Sequence, residues 1–410
     1  MRCGPAPKDG EQIIVHPNAL SPATHPAQKA GRLVSVDFWR GFALLTIFIN
    51  HVPGLFLGDY TFRNFGVSDA AELFVLLAGV SAAFAYLRKY GPGTRLNVTT
   101  RVWLRAFNLY AAHLALVLVA IATIGGFAIW SGDSRILSQY HLDLLQNTPL
   151  EGLVGIVMLT FQPAYLNILP LYVVLLLMAP ALIALMRRSL LLGLGASFTL
   201  YVVAQLAGLA LPVWPNSGRW FFNPFTWQLL FACGLAIGAA IDAGRPLVAN
   251  RFLNILAPLY LLACLGWVLA GFPYALELWP LPSFALGFDK TNLDLPRLLH
   301  ILALVYCVSR LPLENLLRQS PLASPLIVMG RHSLPVFCVG TILSLGAQVV
   351  RPAFEGALSF DLFIIVAGFS IQWMVAWTLD WQRGHAKAPK VASASTLAQR
   401  EIVRQEPAAS

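Results

Sequence analysis

The residues best placed to do chemistry are Arg40, Asn50 and His51, with Asp37 just ahead of them, at the start of and inside the first long apolar run. Arg40 and His51 are eleven positions apart, close to three helical turns, so one helix face would carry both, roughly 16 Å apart along the axis. A guanidinium binds phosphate bidentately. A histidine, titrating near neutrality, is the usual base for taking a proton from a hydroxyl. Ionisable groups inside a membrane helix are costly, which makes them functional candidates. The pair therefore reads as an anion site at Arg40 linked to chemistry at His51, with Asn50 able to position a carbonyl or the imidazole. Blander readings fit the same residues: a histidine satisfied within a bundle, an asparagine holding helices together, and an Asp37–Arg40 pair suited to a helix start.

Further along, Ser68-Asp69-Ala-Ala-Glu72 fits a capping box at the start of a second helix. Both carboxylates would face one way near the depth of His51, so one of them could orient and charge-stabilise the imidazole, as the acid of a catalytic triad does. Asp69 can serve as cap and partner together. Arg88, Lys89, Arg95, Arg101 and Arg105 crowd the next segment, with Arg101 and Arg105 on one face. Such density beside Arg40 suits a polyphosphate, while ordinary inside charge explains each residue singly. Trp214, Trp220, Phe221, Phe222 and Trp227 could stack on sugar rings or form an interfacial aromatic belt. His300 is a secondary candidate, and His113 and His332 are less distinctive.

The elements that must position these groups are membrane helices. The 410 residues are 57% hydrophobic and only 11% charged, where a soluble domain carries about 25% charged residues. Apolar runs of some 20 residues recur without period-2 alternation, which points to helices rather than a barrel. The expected fold is all-α, a polytopic bundle of about ten transmembrane helices at 38–57, 70–88, 103–130, 166–186, 189–211, 225–241, 253–271, 297–311, 333–350 and 359–380. The segment 150–162 is expected to be re-entrant or interfacial. Placing both termini in the cytoplasm leaves only Arg63, Arg135, Arg219, Lys290, Arg297 and Arg351 of the 28 Lys and Arg residues outside, in line with the positive-inside rule. Residues 1–31 and 381–410 read as disordered tails. The net charge of +9 belongs to short loops flanking apolar runs, so nucleic acid is not an expected partner. The cysteines have no metal-ligand spacing, and phosphate-loop, nucleophile-elbow and dinucleotide motifs are absent.

Asp37-Phe-Trp-Arg40-Gly41, Asn50-His51, Phe65-Gly-Val-Ser-Asp69-Ala-Ala-Glu72, Phe222-Asn223-Pro-Phe-Thr-Trp227-Gln228, Gly287-Phe-Asp289-Lys290-Thr-Asn292-Leu-Asp-Leu-Pro-Arg297-Leu-Leu-His300 and Gly330-Arg-His-Ser333 together resemble the OpgC family. The resemblance covers roughly residues 32–380 as one transmembrane acyltransferase domain. Members succinylate osmoregulated periplasmic glucans, and the wider acyltransferase group marks its first helix with an arginine and a histidine at this spacing. The resemblance implies His51 as the catalytic histidine and Asp69 as an acid near the active centre; Asn50 and Glu72 are further catalytic candidates from their own positions. It implies acyl-CoA, succinyl-CoA favoured, as co-substrate held by Arg40, Arg101 and Arg105, to which the inner basic cluster adds Arg88; no permanently bound cofactor and no metal are expected. Trp220, Asn223, Asp289, Lys290 and Asn292 are the expected acceptor-binding residues. The expected setting is the bacterial inner membrane, with membrane lipid and a periplasmic glucan acceptor as partners; a homo-oligomer or a complex with glucan-synthesis proteins stays open. The rival readings are an acyltransferase for another envelope glycan or lipid, a proton-coupled transporter relaying through His51 and Asp69, and a subunit without chemistry of its own. No inverted repeat supports the transporter.

Overall fold

A computed structural model describes residues 33–245, 250–271, 282–354 and 357–386. Expectations that fall on residues 1–31 or the end of the C-terminal tail lie outside these residues. The helices run in chain order α1 (Val34–Asn50), α2 (Ala70–Ala82), α3 (Arg95–Ser131), α4 (Arg135–Gln139), α5 (Asp143–Asn147), α6 (Pro149–Val157), α7 (Ile168–Arg188) and α8 (Leu190–Ala207). They continue as α9 (Pro224–Asp242), α10 (Arg251–Leu269), α11 (Ser283–Leu286), α12 (Leu295–Ser309), α13 (Leu313–Gln319), α14 (Ser324–Arg331), α15 (Ser333–Val350) and α16 (Leu358–Ala386). Extended pairing among the described residues is confined to one bridge, Pro212 with Arg219.

Among the described residues, eight helices are long and apolar enough to cross a membrane: α2 with its continuation to Leu87, α3, α7, α8, α9, α10, α15 and α16. Taken together, α12 and α13 make a ninth, bent by 70° at the break. The first helix differs from expectation. It has 17 residues, about 25 Å, and stops at Asn50 rather than reaching residue 57. Pro53 supplies no N–H and crowds the preceding turn, so the chain leaves the helix before it, and Gly54 takes a φ of +74° there. At its other end α1 lacks a cap of its own, and Glu314 of α13 accepts from the Val34 and Ser35 N–H groups at 3.0 and 2.9 Å. At 37 residues α3 is longer than expected, and α16 runs to Ala386, so the C-terminal tail starts later than residue 381. Segment 150–162 holds α6 and then a loop.

Small residues set the closest helix contacts. In lipid there is no hydrophobic force between helices, and close backbone approach through small residues takes its place. Between α2 and α9, Gly79 abuts Phe231 O and Gly234 abuts Leu76 O. Between α1 and α14, Gly41 abuts Leu326 O and Gly330 abuts Asp37 O. A Cβ at any of the four would overlap backbone.

Charge fixes α12 to α2. Asp69 caps α2, accepting from Ala71 N at 2.8 Å, while Glu72 returns to Asp69 N at 3.0 Å, the capping box read from the sequence. Glu72 is completely buried, and Arg297 of α12 donates to it through Nε at 2.8 Å and a terminal nitrogen at 2.5 Å. Lys290, in the loop before α12, donates to Asp69, and Arg297 lies 3.8 Å from Asp69.

Two outcomes test this packing in detergent-solubilised protein. Gly234→Val drives α2 and α9 apart and lowers the thermal midpoint by several degrees or more, an overpacking cost of at least about 1–3 kcal/mol, whereas Gly195→Ala, with open space around it, leaves it unchanged. Equal midpoints for both would reject the close contact. Glu72→Gln leaves Arg297 without its anion and costs about 3–5 kcal/mol, much of it regained when Arg297→Met is added; a double variant no better than the single one would show that the pair does not act as a unit.

Candidate active site

His51 is the residue that follows α1, with its N–H bonded to Ile47 O at 3.0 Å. Three elements hold it there. The Gln348 amide of α15 donates to the His51 carbonyl. Arg351 donates to the carbonyls of Pro53 and Gly54 at 3.1 and 2.6 Å and grips Asp361 of α16 through two bonds at 2.8 and 3.1 Å. The Tyr165 ring, just before α7, lies 5.1 Å from the imidazole. Asn50 ends α1, and its side-chain oxygen accepts from Thr61 Oγ1 at 2.8 Å. The His51 Nδ1 is buried with no hydrogen-bond partner among the described residues, so the ring is held by its backbone and its neighbours rather than by an acid.

Both acids expected near His51 belong to the charged network between α2 and α12. Glu72 is taken by Arg297 and Asp69 by Lys290. Lys290, Asp69 and Arg63 stand close enough for their charges to act on the imidazole. Asp69 therefore influences His51 through space and beside a cation, not as the sole acid of a triad. His300, the secondary candidate, is 4% exposed and shares a 2.7 Å hydrogen bond with Ser68 at the foot of α2.

The expected acceptor-binding residues are largely the scaffold of this end. Asp289 accepts from Thr291 N and from the backbone and side chain of Asn292, at 3.0 to 3.2 Å. Asn223 caps α9 through Phe225 N and donates to Asn292 and to Leu209 O. These bonds fold the loop that delivers Lys290 to Asp69. In the same loop, burial pushes the Asp294 carboxyl up to about 6 against the hydrogen bond it makes with Asp289 N. Trp220 is 3% exposed, so its ring is enclosed in the core and has no open face for a sugar.

Toward the opposite end of α1, a cavity of about 240 Å³ opens between α1, α2, α3, α7 and α15. Arg40 and Arg105 line it together with Ser81, Tyr86, Tyr172 and Ser333. Arg40 donates to Ser333 Oγ at 2.8 Å. The turn after α2, Ala83–Leu87, is π-helical, a widening frequent at functional sites, and two of its residues, Ala85 and Tyr86, form cavity wall. Of the other expected phosphate ligands, Arg101 is exposed one turn before Arg105, and Arg88 lies 3.7 Å from Asp242 at the end of α9, away from the cavity. Sequence reasoning missed Tyr172, Tyr165, Gln348 and Arg351. A tyrosine in an apolar run carries no distinguishing signal, and Gln348 and Arg351 reach the histidine segment through contacts some 300 residues away in the chain. Arg297 and Ser333 fell inside quoted motifs without a role attached.

Arg40 thus lies on α1 and His51 caps the end of that helix, with a cavity at the arginine and the charges of Asp69, Lys290 and Arg63 near the histidine. Among the described residues no cluster of His, Cys, Asp or Glu could hold a metal ion. No curated protein and no solved structure matches the chain. Residues 32–384 match the family described as OpgC protein, nearly the whole bundle, with both ends of α1 inside the match. The chain belongs to the OpgC family and is a multi-pass membrane protein of acyltransferase type.

Proposed function

We propose that the protein moves an acyl group, with succinyl favoured, from cytoplasmic acyl-CoA to hydroxyls of a periplasmic glucan across the bacterial inner membrane. The observation that carries this reading is the pairing of a cationic cavity at Arg40 with His51 on the same helix. The arm of coenzyme A runs about 13 bonds from phosphate to sulfur, roughly 15 Å when extended, and eleven residues of α1 span nearly the same length. With phosphates at Arg40 and Arg105, the thioester reaches His51.

There the imidazole takes the proton of a glucan hydroxyl as its oxygen attacks the thioester carbonyl. The tetrahedral intermediate collapses with loss of the C–S bond. The thiolate recovers the proton from the imidazolium and leaves as free coenzyme A. The products are an O-acyl ester and a thiol, and the histidine is restored. Lys290 and Arg63 supply positive charge beside the developing oxyanion. The side chain of Asn50, turned to Thr61, holds the end of α1 and does not need to touch substrate.

Mass spectrometry of periplasmic glucans checks the proposal in a deletion strain, alone or carrying wild type, His51→Ala or Arg40→Ala at equal membrane abundance. Wild type restores an acyl ester whose mass names the group, and His51→Ala restores none. Arg40→Ala keeps some activity, but its KM for acyl-CoA rises about 10- to 100-fold, the loss of one or two charge-assisted hydrogen bonds. Full esterification by His51→Ala would overturn the mechanism, and unchanged glucans throughout would move the search to another envelope acceptor.

A further inference from the structure

The cavity contains a polar group that the protein leaves unsatisfied. Tyr172 of α7 is 6% exposed, and its hydroxyl is buried with no hydrogen-bond partner among the described residues. Of the other hydroxyl residues that line the same space, Ser81 donates to Leu77 O at 2.8 Å and Ser333 accepts from Arg40, while Tyr86 is only half-buried. A buried hydroxyl without a partner is costly, yet the Tyr172 ring is held firmly, with Phe74 edge-on at 5.6 Å and 77°. A fixed ring in the cavity wall whose buried hydroxyl has no partner among the described residues is a candidate donor to a ligand.

Its position says what kind of group it meets. Arg40 is near enough for its charge to act on the Tyr172 hydroxyl, so this hydroxyl lies beside the cationic mouth. Tyr165, which touches His51, is seven residues earlier in the chain, so α7 carries Tyr172 from the histidine toward the arginine. A chain that starts in the cavity beside Arg40 therefore has Tyr172 in its wall. A fatty or isoprenoid tail offers nothing to a phenol there. The pantetheine arm of coenzyme A carries two amides between phosphate and sulfur, and a hydroxyl can donate to an amide carbonyl or accept from an amide N–H.

We infer that the Tyr172 hydroxyl hydrogen-bonds an amide of the donor's pantetheine arm and so registers the thioester against His51. The inference rests on the acyl-CoA reading above and assigns the residue a positioning role, without proton transfer. Tyr172→Phe keeps the ring and its contact with Phe74. In purified protein it should raise the KM for acyl-CoA and the Kd for free coenzyme A alike, by about 3- to 10-fold, the worth of one neutral hydrogen bond. It should leave the thermal midpoint unchanged. Adenosine 3′,5′-bisphosphate, which has the phosphates but no arm, should bind wild type and variant equally.

Coenzyme A binding unaltered in Tyr172→Phe would overturn the inference and leave the donor reading intact. A lower thermal midpoint, with both ligands weakened alike, would also overturn it, as a purely structural hydroxyl. Wild-type protein that binds neither acyl-CoA nor coenzyme A would sink the donor reading and this inference together.

Discussion

Two carboxylates and two cations, set between the foot of α2 and the start of α12, are the constraint on which the rest of this end of the bundle depends. Glu72 is completely buried and Asp69 mostly so, and an unpaired charge in such a place is expensive. Arg297 and Lys290 answer them one for one, so the cluster is close to neutral. Neutrality has a geometric requirement. Arg297 must come from a helix docked on α2, and Lys290 from a loop folded tightly enough to reach Asp69. The turn organised by Asp289, Asn292 and Asn223 meets that second requirement. Residues that read from the sequence as a sugar site are thus better understood as the framework that brings a lysine to an aspartate near the reacting histidine.

The histidine gains from this arrangement without joining it. Its carbonyl is held by Gln348, its following turn by Arg351, and its ring by Tyr165. None of these contacts uses a ring nitrogen. The imidazole is fixed in place and keeps its hydrogen-bonding capacity for substrate, which a general base requires. At the other end of α1 the same economy holds. Glu314 caps the helix from a distant segment, while Arg40, braced by Ser333, turns toward the cavity.

Much of this was legible in the sequence. Long apolar runs gave the existence and order of the helices, with some ends off by about two turns, because membrane spans announce themselves by composition. The Arg40–His51 spacing and the Asp69–Glu72 capping box followed from helix geometry and local capping rules, which act over a few residues. What escaped depends on distance along the chain. Pro53 signals the early stop of α1, but the apolar residues around it outweighed that signal. The 300-residue separation between His51 and Gln348 leaves no local trace. Arg88 reads as a phosphate ligand by proximity to Arg105, and only the fold shows Asp242 beside it. Trp220 reads as exposed because it stands in a loop, and packing encloses it.

Placing cation and histidine on a single helix has a final consequence. Distances between helices are set by packing and drift with mutation, temperature or lipid. The distance from Arg40 to His51 is set by the rise per residue of a continuous α-helix, which none of these alters appreciably. Gly41 and Gly330 lock that helix against α14, so it behaves as a rigid ruler inside a deformable bundle. Substitutions elsewhere can loosen or tighten a bound donor, but its length is measured against α1 alone. Only inserting or deleting a residue between the two would recalibrate it, swinging His51 by about 100° around the axis for each residue gained or lost.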